Sequence, residues 1–215
     1  ARGPSNGFNS LGTFVGTPFA RALKKQELTE LTQQYRSAAE RAKAAGFDAV
    51  ELHMGHGYLL SQFLSPAVNK RKDEYGGSAE NRARFPVEVL QAVRQGIGDH
   101  MPIIVKMNLR DGFRGGVEIE DSIATAKLLE ASGADALVLS GGFSSKNAMY
   151  LFRGPTFVEE LIKVQRRKID KLVYRMARPV LKSQPFEELY FLELAKQLRK
   201  EVSLPLICVG GVQSL

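Results

Sequence analysis

Apolar and polar positions along the chain follow two alternating periods. Between residues 24 and 45, apolar side chains recur every three or four positions, which predicts an amphipathic helix that Gly46 ends. The stretch 47–53, which is rich in apolar residues, follows and predicts a short buried strand. The same order of helix and strand recurs three more times. Helices are predicted at 78–98, 118–133 and 186–202, and strands at 102–108, 135–140 and 205–210.

Capping residues locate the ends of these helices. Ser78 is placed to cap the second helix, because its hydroxyl can accept a hydrogen bond from an unpaired backbone N–H. Gly96 or Gly98 marks the end of that helix, and Gly133 closes the third one. Pro86 lies inside the second helix and lacks the N–H that a helix interior needs. The first turns of that helix are therefore expected to kink or to begin late.

Helices that alternate with buried strands favour a parallel sheet. Parallel neighbours need crossover connections, which are right-handed in nearly all known cases. Two architectures of this kind compete, a doubly wound open sheet and a (β/α)8 barrel. A doubly wound sheet that binds a dinucleotide carries the motif G-x-G-x-x-G after its first strand. The sequence lacks this motif. We therefore predict an α/β fold of the barrel type in one domain, residues 1–215, although four strands are half of a complete barrel.

Both architectures carry their chemistry at the carboxyl ends of the strands. Every predicted strand ends in residues that are able to bind or react. They are His53 and His56, Lys106 and Asn108, Ser140 with Gly141 and Gly142, and Gly210 with Gly211. Because parallel strands end at one edge of a sheet, we expect these residues on the same rim.

The amino-acid composition is that of an ordinary globular protein and excludes few other classes. The hydrophobic and charged fractions, 44% and 25%, are ordinary for a globular domain. The sequence has no apolar run of about eighteen residues, so no membrane span is predicted. Its one cysteine, Cys208, cannot form an intrachain disulfide, which favours a reducing compartment and hence a cytoplasmic protein.

The formal net charge of +7 raises the question of an anionic partner. The densest basic stretch, residues 163–182, contains Val, Ile, Leu and Met at helical spacing. We interpret it as a helix with a solvated basic face, and attraction for an anionic cofactor or a partner contact is the alternative. No nucleic-acid-binding module or pattern of basic and aromatic residues is present. Neither nucleic acid nor a membrane is therefore expected as a partner.

The motif H-x-x-H-G-Y, residues 53–58, admits three interpretations. A zinc site would need a third ligand, and no cysteine or aspartate cluster stands nearby in the sequence, so no metal is expected. In the second interpretation, the two histidines are structural, and their ring nitrogens form hydrogen bonds within the core. In the third interpretation, both imidazole N–H groups converge on one oxygen of a ligand, where two donors stabilise developing negative charge.

The third interpretation also gives Tyr58 a role. Its hydroxyl stands five residues after His53 and can deliver a proton to the ligand. No serine or cysteine nucleophile is paired with either histidine in the sequence. The set therefore suits the polarisation of a carbonyl or nitro group and protonation of the adjacent carbon. Such chemistry needs a source of electrons or hydride, which implies a redox cofactor and a small-molecule substrate.

Two long stretches resemble a known family. They are "GFDAVELHMGHGYLLSQFLSP" (46–66) and "NKRKDEYGGSAENRARFPVEVLQAVR" (69–94). Both are similar to the fourth strand, loop and helix of the old yellow enzyme family of FMN-dependent ene-reductases. The resemblance implies an FMN cofactor, NADPH or NADH as the reductant, and reduction of activated alkenes such as enones, with nitro compounds or quinones as further substrates. It also implies a (β/α)8 barrel of which this chain supplies roughly strands four to seven.

The resemblance implies catalytic and substrate-binding roles for the motif. His53 and His56 match the pair that binds the activating group of the substrate, and Tyr58 matches the tyrosine that protonates the α-carbon. Lys106 matches a position beside the flavin where many relatives have arginine. Lysine at this position differs from the arginine of those relatives. It keeps the positive charge but lacks the planar set of N–H donors of a guanidinium group.

The resemblance assigns different roles to a glycine pair and to a charged loop. Gly210 and Gly211 match a turn whose backbone N–H groups approach the FMN phosphate, and an ordinary turn is the alternative. The charged loop "DEYGGSAENRARF" (73–85) is interpreted as architectural, because its ion pairs can hold it against the following helix.

Four strands of a barrel carry only part of a flavin site. In the family, strands one to three would precede Ala1 and strand eight would follow Leu215. The sequence is therefore expected to be a fragment or a naturally shortened relative. Two unpaired sheet edges favour self-association or pairing with the missing half of the barrel. The alternative to an enzyme is a non-catalytic truncated barrel, or pseudoenzyme, that lacks a complete flavin site.

Overall fold

Two sheets and eight α-helices occur in the part of the chain that the computed structural model describes, residues 1–8, 16–156, 158–178 and 182–214. The strands are β1 (Arg2–Gly3), β2 (Gly7–Phe8), β3 (Phe19–Ala22), β4 (Val50–Met54), β5 (Ile103–Arg110), β6 (Ala136–Gly141) and β7 (Leu206–Cys208). The helices are α1 (Lys25–Ala44), α2 (Leu59–Leu64), α3 (Ala79–Ile97), α4 (Ile119–Ala131), α5 (Ser144–Asn147), α6 (Val158–Val164), α7 (Lys168–Ala177) and α8 (Leu192–Arg199). A 3-10 turn, Ala148–Tyr150, follows α5.

The last four strands form one parallel sheet in the order β4, β5, β6, β7. Each connection between neighbouring strands contains at least one helix, so the predicted order of elements and the parallel sheet are confirmed. One row of paired residues across the sheet consists of His53, Lys106, Val138 and Ile207. Residues paired in this way point to the same face of the sheet.

One face of the parallel sheet packs against helices and forms the core. Alternate residues of β5 are fully buried on this face. They are Ile103, Val105, Met107 and Leu109. They belong to one hydrophobic cluster together with side chains from α1, α3 and α4. Burial of each such side chain contributes roughly 1.5–3 kcal/mol, and this fixes the strands against the helices.

The opposite face of the sheet carries both apolar and charged side chains. Val138 at its centre is buried, whereas 43% of Ile207 is exposed towards one edge. Glu51, on the other edge strand, is exposed as well. This face, which carries His53 and Lys106, is therefore accessible from its edges.

Most helix ends follow the predicted caps. Ser78 Oγ accepts a hydrogen bond from Asn81 N at 3.3 Å and begins α3. Gly46 and Gly133 follow their helices with φ angles of 84° and 95°, as expected of glycine at a helix end. The late start expected from Pro86 does not occur, because α3 has already begun before this residue and buries it. The Ser78 cap thus determines where the helix starts.

Three features depart from the predicted elements. The small sheet of order β1-β3-β2 and the short helix α2 are not predicted, because elements of two to six residues show no clear period. α8 begins at Leu192, later than predicted, since Leu189 adopts a φ of 55° and reverses the chain first. β7 ends at Cys208, and the two glycines beyond it form a turn instead of extending the strand.

The basic stretch forms the end of α6 and all of α7. The predicted solvated helix is confirmed for α7, but its apolar side chains are exposed too. The exposed fraction is 60% for Ile169, 50% for Leu172 and 72% for Met176. None of the described helices combines the length and the apolar character needed to cross a bilayer.

Candidate active site

The turn after β4 carries the H-x-x-H-G-Y motif. His56 and Gly57 adopt positive φ angles of 59° and 80° before α2 begins. A positive φ is uncommon for a residue with a β-carbon, so surrounding contacts must hold the His56 backbone. Gly57 must be glycine for a second reason, because a β-carbon there would lie 2.5 Å from the Phe143 ring.

Asn108 holds the His56 backbone in this conformation. Its Oδ1 accepts a hydrogen bond from His56 N at 3.1 Å. Its Nδ2 donates to Asp111 Oδ1 and to Gly142 O, both at 2.8 Å. The His56 carbonyl in turn accepts a hydrogen bond from Ser144 N at 3.0 Å. Groups at the ends of β5 and β6 therefore fix the turn that follows β4.

The buried carboxyl group of Asp111 orients the Asn108 amide. Asp111 Oδ2 accepts hydrogen bonds from Ser65 Oγ at 2.7 Å and from Val117 N at 2.9 Å. Burial raises the pKa of the Asp111 carboxyl, and its hydrogen bonds offset part of that rise. Because Asn108 Nδ2 donates to Asp111, only Oδ1 remains to accept from His56.

The structure brings His53, His56 and Tyr58 together at one edge of the sheet. The ring centroids of the two histidines are 4.8 Å apart, with an angle of 78° between the ring planes. The centroids of His53 and Tyr58 are 5.0 Å apart. Tyr58 is 59% exposed, so its side chain is accessible to a ligand.

Both imidazoles form hydrogen bonds within the protein, and His53 also has one with the Lys106 backbone. Gly55 N donates to His53 Nδ1 at 3.3 Å. His56 Nε2 lies 2.8 Å from Ser140 Oγ, at the end of β6. Among the described residues, no group of three or more His, Cys, Asp or Glu side chains is arranged to hold a metal ion. The contacts with Gly55 and Ser140 show that both rings act as hydrogen-bonding groups.

Burial lowers the pKa of both histidines. For His56, burial is the largest cause, followed by the charges of His53 and Lys106, and the pKa falls from 6.5 to about 4. For His53, burial is again the largest cause of the lowered pKa, and the charge of Lys106 adds to it. The charge of Glu51 and a hydrogen bond with the Lys106 backbone oppose it. Both rings are therefore neutral at pH 7, and each carries one N–H that can donate a hydrogen bond.

Lys106 lies beside His53 and forms an ion pair with Glu51. Its Nζ is 2.9 Å from Glu51 Oε1, and both side chains lie on the face of the sheet that carries His53. Sequence reasoning assigned a role to Lys106 but missed Glu51. The alternation of side chains along β4, which places Glu51 and His53 on one face, was the available signal.

Gly210 and Gly211 form a tight turn at the same edge of the sheet. Their φ angles are 105° and 72°, which favour glycine. A β-carbon on Gly210 would lie 2.7 Å from Tyr190 Cε2, so the tyrosine ring already requires glycine here. Neither backbone N–H has a hydrogen-bond acceptor among the described residues. The turn can therefore offer two N–H groups to an anion.

Comparison with known proteins assigns the chain to a family. The sequence model of the NADH:flavin oxidoreductase / NADH oxidase family matches residues 3–147. The chain belongs to this family. FMN is the cofactor of the NADH:flavin oxidoreductases, and NADH or NADPH is the reductant. The resemblance to old yellow enzymes is therefore confirmed.

Several curated NADH:flavin oxidoreductases and related proteins align with most of this chain. The 4,4'-dithiodibutanoate disulfide reductase of Rhodococcus erythropolis is 40% identical over 187 residues, or 86% of this chain and 46% of the relative. The NADH oxidase of Thermoanaerobacter brockii is 33% identical over 201 residues, or 94% of this chain and 26% of the relative. This chain therefore spans less than half the length of both relatives.

Solved structures of similar proteins establish the fold. 2-Naphthoyl-CoA reductase in complex with 2-naphthoyl-CoA has a TM-score of 0.60 and 27% identity, covering 89% of this chain and 28% of that chain. Morphinone reductase in complex with tetrahydroNAD has a TM-score of 0.52 and 27% identity, covering 86% and 52%. The old yellow enzyme homologue of Zymomonas mobilis has a TM-score of 0.57 and 24% identity, covering 94% and 62%. The old yellow enzyme neighbours are barrels of the TIM type, so the predicted partial (β/α)8 barrel is confirmed.

Proposed function

We propose that the protein containing this chain is an FMN-dependent oxidoreductase that reduces activated alkenes with NADH or NADPH. Enones are the expected substrates, and nitro compounds and quinones are further candidates. The proposal rests mainly on the arrangement of His53, His56 and Tyr58 beside Lys106, at the carboxyl edge of a parallel sheet. Family membership supports the flavin and the reductant.

The residues of this chain fit part of an FMN site. Lys106, which is paired with Glu51, supplies a positive charge next to His53, and Gly210 and Gly211 offer two N–H groups without acceptors among the described residues. A cation suits the electron-rich ring of a reduced flavin, and free N–H groups suit its phosphate. When bound, FMN would supply the hydride that it takes from NADH or NADPH.

The side chains of the motif would bind and protonate the substrate. His53 and His56 are neutral donors that can hold the carbonyl or nitro oxygen and stabilise negative charge there. Neutral imidazoles suit this task, since neither ring has to lose a proton before it is buried by a ligand. Tyr58, exposed beside His53, would give a proton to the α-carbon of the alkene.

Substitution of His53 tests this proposal, with His100 as a matched control. His100 is exposed and follows α3, away from the carboxyl edge of the sheet. In the full-length protein, His53→Ala should lower kcat/KM for an enone by roughly 10²- to 10³-fold, as loss of one oxyanion donor does elsewhere. His100→Ala should leave it unchanged. Equal activity of both variants would remove His53 from the reaction.

A non-catalytic partial barrel is the alternative function. The observation that favours it is the open face of the sheet, with Glu51 and Ile207 exposed. The isolated 215-residue chain should bind FMN weakly, because its residues provide only part of a flavin site. Titration with FMN, followed by flavin fluorescence, measures this affinity. Full-length protein that is colourless and takes up no FMN would favour the alternative.

The outer edges of the parallel sheet are proposed to pair with further strands. A groove of about 450 Å³ runs along β4 beside α1. Its lining includes Tyr35, Val50 and Leu59, and at its end the motif residues His53 and Tyr58. The other strands of the barrel are the proposed occupant, and a second copy of the chain is the alternative. Light scattering across a concentration series distinguishes them, since self-association would raise the mass with concentration.

The cytoplasm is the proposed location. Cys208 is the one cysteine of the sequence, and its thiol is partly buried against the core. A chain that relies on no internal disulfide suits a reducing compartment. Cell fractionation of a tagged full-length protein tests this location.

A further inference from the structure

The two histidines of the motif differ in which ring nitrogen is hydrogen-bonded within the protein. His53 uses Nδ1, whereas His56 uses Nε2. We propose that they are held in opposite tautomers, His53 with its proton on Nε2 and His56 with its proton on Nδ1, and that Ser140 is the positioning residue that sets the second tautomer.

The tautomer of His53 follows from its backbone partner. Gly55 N is a donor and cannot accept, so His53 Nδ1 must present a lone pair to it. A neutral imidazole has one proton, which is then on Nε2. The neutral state itself is favoured, because burial lowers the pKa of His53. The contact with Gly55 is local, between residues two positions apart, and the protonated ring nitrogen also forms a hydrogen bond with the Lys106 backbone.

The tautomer of His56 follows from the burial of Ser140. Ser140 is 1% exposed, and its hydroxyl has no hydrogen-bond partner other than His56 Nε2 among the described residues. If His56 Nε2 donated, the buried hydroxyl proton of Ser140 would have no acceptor, which costs roughly 1–3 kcal/mol. Donation from Ser140 Oγ to His56 Nε2 satisfies both groups. The proton of His56 is then on Nδ1.

The position of the His56 ring does not depend on Ser140 alone. Asn108 Oδ1 and Ser144 N hold the backbone of His56 from both sides. Removal of the Ser140 hydroxyl should therefore leave the ring near its place and change mainly its protonation pattern. This separation makes the role of Ser140 measurable.

The inference has a consequence for ligand binding that rests on the proposed function. Opposite tautomers let neighbouring rings offer different N–H groups, Nε2–H from His53 and Nδ1–H from His56. With the rings nearly perpendicular, the two donors can approach one oxygen from different directions. Ser140 would then act on the substrate only through His56.

Long-range ¹H–¹⁵N NMR of ¹⁵N-histidine-labelled chain at pH 7.5 tests the tautomers directly. The His53 Nδ1 and His56 Nε2 signals should both show the shift of an unprotonated nitrogen. Ser140→Ala should move His56 towards a mixture of tautomers and leave His53 unchanged. Ser140→Thr keeps the hydroxyl and should preserve the wild-type pattern.

Ser122→Ala is the matched control for Ser140→Ala. Ser122 is equally buried, at 1% exposure, but its hydroxyl donates to the Asn108 and Leu109 carbonyls instead of a histidine. This variant should destabilise the fold without changing the signals of His56. A wild-type His56 protonated on Nε2 would overturn the proposal. An unchanged His56 tautomer in Ser140→Ala would remove Ser140 as the positioning residue.

The NMR outcome does not depend on catalysis, so it can fail independently of the proposed function. In the full-length protein, Ser140→Ala should weaken binding of a phenolate ligand roughly two- to tenfold, as expected for one misdirected hydrogen bond. Ser140→Thr should restore the affinity. The expected tautomers without any enone reduction would contradict the proposed function and leave this inference standing.

Discussion

The packed sheet and the basic segment are built from similar patterns but behave differently. The packed sheet, β4 to β6 with α1, α3 and α4, buries its apolar residues in one cluster. The basic segment, the end of α6 and all of α7, is also amphipathic along α7, yet α7 leaves Ile169 and Met176 exposed. An amphipathic pattern therefore predicts a helix reliably, whereas burial depends on whether another element covers the apolar side.

This difference explains where the candidate site lies. Side chains that must meet within a few tenths of an ångström need rigid support, and the packed sheet provides it. His53 and Lys106 are fixed by strand pairing, and His56 is fixed by Asn108 from the neighbouring strand. The basic segment contributes none of the predicted site residues.

Core truncation should show the largest contrast between the two regions. Phe85 is fully buried against Phe63, with ring centroids 4.7 Å apart, whereas Met176 on α7 is exposed. Phe85→Ala should lower the free energy of unfolding by about 3–5 kcal/mol, because it leaves a cavity in the core. Met176→Ala should change it by less than about 0.5 kcal/mol. Urea denaturation measures both, and a large loss in Met176→Ala would show that α7 is covered in solution.

Two glycines outside the basic segment allow a finer comparison of backbone strain and packing. Gly57 and Gly77 both have positive φ angles, 80° and 90°, but a β-carbon on Gly77 would meet nothing within 4 Å. Gly77→Ala should therefore cost about 1–2 kcal/mol, the penalty of the backbone conformation alone. Gly57→Ala should cost more, because its β-carbon would also clash with Phe143. Thermal unfolding compares the two, and equal losses would mean that the Phe143 ring moves freely.

A further expected effect is the pH dependence contributed by His56. Its pKa is about 4 in the folded protein and 6.5 ordinarily, so between these values the unfolded chain binds more protons. The stability of the folded state should therefore fall as the pH is lowered from about 6.5 to about 4. His56→Gln should flatten this part of the profile. Urea midpoints across the pH range test it, and identical slopes for both proteins would place the folded pKa near its ordinary value.

Local patterns predict the main elements and the members of the motif. His53, His56 and Tyr58 could be placed together because they lie on one strand and the turn after it. Lys106 could be placed beside them because parallel strands end at one edge. The roles of these residues in catalysis remain proposals.

Contacts between residues distant in the sequence account for what could not be predicted. The hydrogen bond from His56 N to Asn108 joins residues that no local period relates. The positive φ of His56 could not be predicted from the sequence either, since glycine is the residue that indicates this conformation. The late start of α8 has a similar origin at Leu189.

The dependence of the His56 turn on Asn108 has a consequence for protein engineering. A designer who grafts the six residues of H-x-x-H-G-Y onto another barrel would transfer the chemistry without its support. The recipient would also need an amide on the next strand and a carboxylate to orient that amide, the parts played here by Asn108 and Asp111. The transferable unit is therefore discontinuous, and a library that varies the turn should vary both of these positions with it.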